Sequence, residues 1–143
     1  MFYLGLAYES ASDFSEAKKY FNAAYDSFNI LGVTAGMIEA QAGLARLALK
    51  DGDIYEAEKL SLEIVDYLKK EGPHNLELPI LVYLSCARVF EQSGNAQLFK
   101  HSVKKGYQEI RNRFEMINDE NWRKTYLDAI PENRELLACY KGE

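Results

Sequence analysis

Few residues in this sequence could do chemistry on their own account, and those few are widely spaced. The two histidines, His74 and His101, lie in a Gly72-Pro73-His74-Asn75 turn and in a lysine-rich stretch, and neither has a cysteine, an aspartate or the other histidine at a metal-binding interval. Cys86 and Cys139 make neither a metal-ligand spacing nor a framework of disulfides. Cys86 falls in an apolar helical run and reads as a small buried thiol, which fits a reducing compartment. Ser61, Ser85 and Ser102 are the candidate nucleophiles, but each lies in a helical pattern without the strand-to-helix elbow that exposes a hydrolase serine. A glycine-rich phosphate loop is also missing. Glu56 and Glu58 suit a helix start and a solvent face rather than acid–base work. The expectation is a protein that is not an enzyme and uses no metal and no cofactor.

Charge narrows the partner classes. Seventeen basic against 22 acidic residues leave a formal charge of -5 over 143 residues, a balance that favours solubility and opposes broad binding to nucleic acid. The basic residues gather between positions 100 and 124, from Lys100 to Lys124, and are interleaved with Glu109, Glu115, Asp119 and Glu120. That pattern reads as a solvated helix face with internal ion pairs. With Tyr107 and Trp122 it is the main foothold for a nucleic-acid reading, which lacks the repeated polar positions that helical RNA readers need. No run of about 20 apolar residues and no signal sequence occur, so no membrane association is expected and a cytoplasmic location is.

These side chains would be positioned by helices, and the helices come in pairs. Leu4 and Tyr8 share one helical face, Ser12-Asp13 interrupts, and Ala17, Phe21 and Ala24 share the next. Asp13 followed by Glu16 is a capping-box arrangement. The phrase then returns: Ala40, Leu44, Leu47 and Ala48, a break at Asp51-Gly52, and Asp53-Ile54-Tyr55-Glu56-Ala57 leading into Leu60, Ile64 and Leu68. A third version runs from Ile80 to Phe90, breaks at Ser93-Gly94-Asn95 and continues with Phe99, Val103 and Ile110. Asp13, Asp53 and Asn95 thus occupy equivalent places, 40 and then 42 residues apart. Gly5, Ala45 and Ala87 match in the first helices, and Ala17 and Ala57 in the second, where close helix approach excludes larger side chains. Phe99 departs from that rule, so the third pair is expected to pack more loosely or differently. The expected boundaries are 1–31, 34–72 and 76–117 for the pairs, then a two-helix cap over 119–140 with Trp122, Tyr126 and Ile130 turned inward.

Leu4-Gly5, Tyr8, Ala17, Phe21 and Ala24 resemble the signature of the tetratricopeptide repeat, as do Leu44-Ala45, Gly52-Asp53, Ala57 and Ile64, and in degenerate form Cys86-Ala87, Phe90, Gly94-Asn95 and Val103. The pairs exceed the family's usual 34 residues. In length they resemble the variant in the carboxy-terminal regions of large bacterial ATP-dependent transcriptional regulators and signalling ATPases, as does the closing stretch from Trp122 to Leu137. The resemblance implies an all-α, right-handed superhelix of about three antiparallel helix pairs forming one domain over 1–143. It also implies a non-catalytic protein-interaction module, with homo-oligomerisation or scaffolding as the alternative. Met1 falls well inside the expected first helix, so the chain is expected to be a piece of a larger regulatory or signalling protein.

In that family the first helices of successive pairs line a groove. Carried over position by position, the groove here comprises Phe2, Leu6 and Glu9, then Glu39, Arg46, Leu49 and Lys50, then Leu81, Leu84, Arg88, Glu91 and Gln92. Arg46, Lys50 and Arg88 would suit an acidic peptide or a terminal carboxylate. On an ordinary solvated face the same cations would instead pair with Glu39 and Glu91. A second copy of the chain is the other partner expected.

Overall fold

Side-chain caps set the helix starts. The computed structural model describes residues 1–141, and in it Asp13, Asp53 and Asn95 each accept a hydrogen bond from the backbone N–H three residues ahead, at 3.2, 3.1 and 3.1 Å. These bonds satisfy donors that the first turn of a helix leaves without partners. They open α2 (Phe14–Leu31), α4 (Ile54–Glu71) and α6 (Ala96–Glu115). The helices before them are α1 (Phe2–Ser10), α3 (Thr34–Lys50) and α5 (Pro79–Ser93), the last with its proline in the first turn, where a missing N–H costs little.

The turns within the pairs are also built alike. The N–H of Asp13, Asp53 and Asn95 donates to the carbonyl five residues back, on Tyr8, Ala48 and Phe90, each at 2.9 Å. Such closure needs a left-handed residue just before the cap. Ser12, Gly52 and Gly94 supply it, with φ of 61°, 79° and 80°. The α2–α3 turn repeats the device with Gly32 at 71° and Val33 N–H on the Phe28 carbonyl at 2.9 Å. Left-handed residues therefore stand at 12, 32, 52 and, after α4, at Gly72, so one helix with its turn occupies twenty residues and a pair forty. Gly72 breaks the series by extending its ψ to -179°, and the chain passes through Pro73 and His74 before α5 begins.

Two compact units result, Met1–Glu77 and a second from Leu78 onward. In the first, α1 packs on α2, α2 on α3 and α3 on α4, with α1 also touching α3. Its centre is Phe21, fully buried. A methyl group at Gly5 or Gly43 would lie 2.7 Å from the Phe21 ring, so these two glycines make the room that the ring fills. In the second unit α5 and α6 form a hairpin, α8 (Pro131–Lys141) lies against both, and α7 (Glu120–Asp128) packs on α8. Val89, Phe90, Val103, Ile110 and Leu136 form its interior.

The chain is all-α, with eight helices among the described residues. Gly5, Ala17, Ala45, Ala57 and Ala87 are all buried, as their small size requires, and so is Cys86. Phe99 is half-buried; in α6 the close approach moves to Gly106, which faces Leu136 and Tyr83. Trp122 does not turn inward. It is 72% exposed, and α7 has no buried residue. The helix has nine residues and rests chiefly on α8, so only one edge of it is covered, and that edge carries Tyr126 and Leu127, both half-buried. The interior contact falls to α8, through Leu136 and through Asn133, whose amide donates to the Tyr126 carbonyl at 2.9 Å. Among the described residues no helix is long and apolar enough to cross a membrane.

Candidate functional site

In the first unit α1 and α3 bring Glu9 and Arg46 together. Arg46 Nε and Nη2 donate to the two Glu9 carboxylate oxygens, each at 2.8 Å, with the side chains only 16% and 14% exposed. Bidentate geometry of this kind holds a guanidinium in one orientation. Arg46 Cζ also lies 5.8 Å from the centroid of the Phe21 ring, a cation–π contact that ties the pair to the core. Lys50, one turn further, is exposed and places its ammonium 5.2 Å from the Phe14 ring centroid. Leu6 and Leu49 are half-buried, whereas Phe2 and Glu39 are buried.

In the second unit Arg88 donates to Glu91 at 3.2 Å and, through Nε, to Glu135 at 2.8 Å. Burial pulls the Arg88 pKa down, and the hydrogen bonds and charge of Glu135, helped by Cys139 and Glu91, more than offset it and leave the value raised. Leu81 is half-buried, Leu84 buried and Gln92 exposed. An acidic ligand at Arg46 or Arg88 would thus compete with carboxylates of the chain itself.

Some of this pairing lay outside the sequence reading. Arg88 does meet Glu91, Arg46 meets Glu9, and Glu135 comes from α8. A cleft of about 740 Å³ between α3 and α4 was also not anticipated. Ile38 and Tyr67 line it together with Glu63, Asp66 and Glu71, and Lys70 is bound to Asp66 at 3.0 Å. Burial raises the Tyr67 pKa, and Glu71 and Glu39 add to the effect. Period and composition announce no cleft here, because its acidic residues sit among lysines in an ordinary amphipathic helix.

The residues considered for catalysis are dispersed. Ser61, Ser85 and Ser102 are buried along helices, His74 is exposed and His101 half-buried. Among the described residues no three His, Cys, Asp or Glu side chains are grouped to hold a metal ion. Ser85 Oγ donates to the Leu81 carbonyl at 2.6 Å. No protein-family model, curated protein or solved structure matches the chain.

Proposed function

We propose that this chain is a non-catalytic protein-interaction module made of tetratricopeptide-like helix pairs, of the kind carried by regulatory and signalling proteins. One observation carries the reading. The same cap and left-handed turn are built three times, and repeated pairs of this kind offer helix faces as a surface for a partner. The fixed Glu9–Arg46 pair supports it as well, since a rigid polar feature flanked by Leu6, Leu49 and Lys50 favours a preorganised docking face. The partner is a protein or peptide segment lying along α1 and α3 of the first unit.

The test is capture of binding proteins on the immobilised chain, followed by titration of the purified partner against Lys50→Glu. Lys50 is exposed, so the change costs the fold little. Affinity is expected to fall by about tenfold or more for the variant. Equal affinity for the variant and the parent would remove Lys50 from the binding face, and failure to capture any protein would remove the function.

A further inference from the structure

Helix α1 reads Phe-Tyr-Leu-Gly-Leu-Ala-Tyr before its first charge. A helix apolar on every side belongs between neighbours, yet only Phe2 and Gly5 of α1 are buried. Leu4 is 48% exposed and Ala7 is exposed, while Tyr8 lies half-buried, stacked on Tyr20 of α2 with centroids 5.4 Å apart. Along α2 the same flank continues through Ala23 and Ser27 to Ile30 and Leu31, which are 84% and 72% exposed.

The forty-residue register says what such positions are for. Leu4, Ala7, Tyr8 and Tyr20 correspond to Leu44, Leu47, Ala48 and Leu60 of the second pair. There, together with Lys18 and Asn22 of α2 and with Asp51, Asp53 and Glu56, those four residues line a cavity of about 160 Å³. The flank of the first pair has the residue types of a covered surface and stands open. Charge separates the two pairs further: Ala23, Ile30 and Leu31 correspond to Glu63, Lys70 and Glu71, so the second pair meets water with ionised groups where the first presents alkyl chains.

We infer that the α1–α2 flank of the first unit is a self-association surface whose partner is a second copy of this chain. The inference rests on the protein-interaction reading and names one partner for it. The occupant follows from charge. A two-fold contact sets a patch against itself, so ionised groups there would repel their own copies. The strip from Leu4 through Tyr8, Tyr20 and Ala23 to Ile30 holds no ionised side chain; of the charges beside it on α2, Glu16 and Lys19 are paired with each other at 3.0 Å and Asp26 stands at the edge, so the apolar strip itself suits self-contact and offers little to a partner chosen by charge. Size sets the strength. With α1 and α2 about 14 and 27 Å long, the flank covers on the order of 600 Å² per copy, somewhat under the roughly 800 Å² of a standard interface. Dissociation in the micromolar range is expected.

Sedimentation equilibrium of the purified chain alone, from about 5 to about 500 μM, tests this directly. The expected result is a reversible monomer–dimer equilibrium that Leu4→Lys and Ile30→Lys each weaken by about tenfold or more, and that Tyr55→Lys, at a well-exposed position of α4, leaves unchanged. Ile30 is so exposed that its replacement does not threaten folding, and circular dichroism verifies this for each variant. A monomer throughout, a dimer indifferent to both substitutions, or a dimer weakened equally by Tyr55→Lys would overturn the inference. No other protein is present in the cell, so that result would leave capture of different partners by the α1–α3 side standing.

Discussion

Replacing Arg46 by alanine distinguishes a structural arginine from one held ready for a ligand. The parent protein has two charge-assisted hydrogen bonds of 2.8 Å between Arg46 and Glu9, both side chains being about 85% covered. Removing the guanidinium strands the Glu9 carboxylate in that setting. Breaking a fully buried pair costs about 3–5 kcal/mol, and an exposed one about 0–1 kcal/mol. The remaining exposure places this pair between those limits, at about 2–3 kcal/mol, and loss of the contact with the Phe21 ring adds about 0.5 kcal/mol. Urea unfolding of the parent, Arg46→Ala, Glu9→Gln and the double variant gives the coupling energy, expected at about 1.5–2.5 kcal/mol. A loss below about 0.5 kcal/mol for Arg46→Ala, with no coupling, would show that Glu9 does not hold the guanidinium. The pair would then not be a rigid feature of the surface.

Other substitutions probe the repeat itself. Ser12 stands at φ 61° where the equivalent turns use Gly52 and Gly94; Ser12→Gly should therefore raise stability by about 0.5–1 kcal/mol, the relief of left-handed strain exceeding the entropy gained by the unfolded chain. Gly43→Ala should lower stability by about 1–3 kcal/mol, measured by thermal unfolding, because its Cβ would meet three Phe21 ring atoms at 2.7–2.8 Å. Burial, with Glu109 and Cys86 adding to it, pushes the Tyr83 pKa up to about 12. The unfolded chain then loses this proton first, so stability should be unaffected below about pH 9, fall as pH rises from about 10 to about 12, and lose about 1–2 kcal/mol after allowance for solvent screening. Tyr83→Phe should flatten that alkaline slope.

Helix boundaries were legible because the signals that set them are local. An aspartate or asparagine that accepts from the N–H three residues on, after a residue able to take positive φ, declares a helix start without reference to the rest of the chain. Asp13, Asp53 and Asn95 did so, and Gly72-Pro73 marked the end of α4. Small residues at helix contacts were equally readable, since Gly5, Ala17, Ala45 and Ala57 leave room that only a close neighbour fills. Questions of which neighbour covers which face were not legible. Trp122, Tyr126 and Ile130 recur at helical spacing, but α7 ends at Asp128, the period says nothing about whether a surface arrives to meet that face, and Trp122 remains in water. Register placed Glu39 and Leu84 among the groove residues for the same reason, while packing buries both. The contact of Arg46 with Glu9 was missed because Glu9 is 37 residues away, on the first helix of the preceding pair. Ion pairs across a repeat follow the forty-residue period only if the acid and the base are sought one pair apart.

The claim that this chain binds other proteins through its helix faces is tested most directly by amide hydrogen exchange of the chain with and without a captured partner. The account predicts added protection concentrated in α1 and α3, where Leu6, Leu49 and Lys50 flank the Glu9–Arg46 pair, with the α3–α4 turn at Gly52 unchanged. Protection confined to the second unit, or spread evenly over every helix, would contradict it.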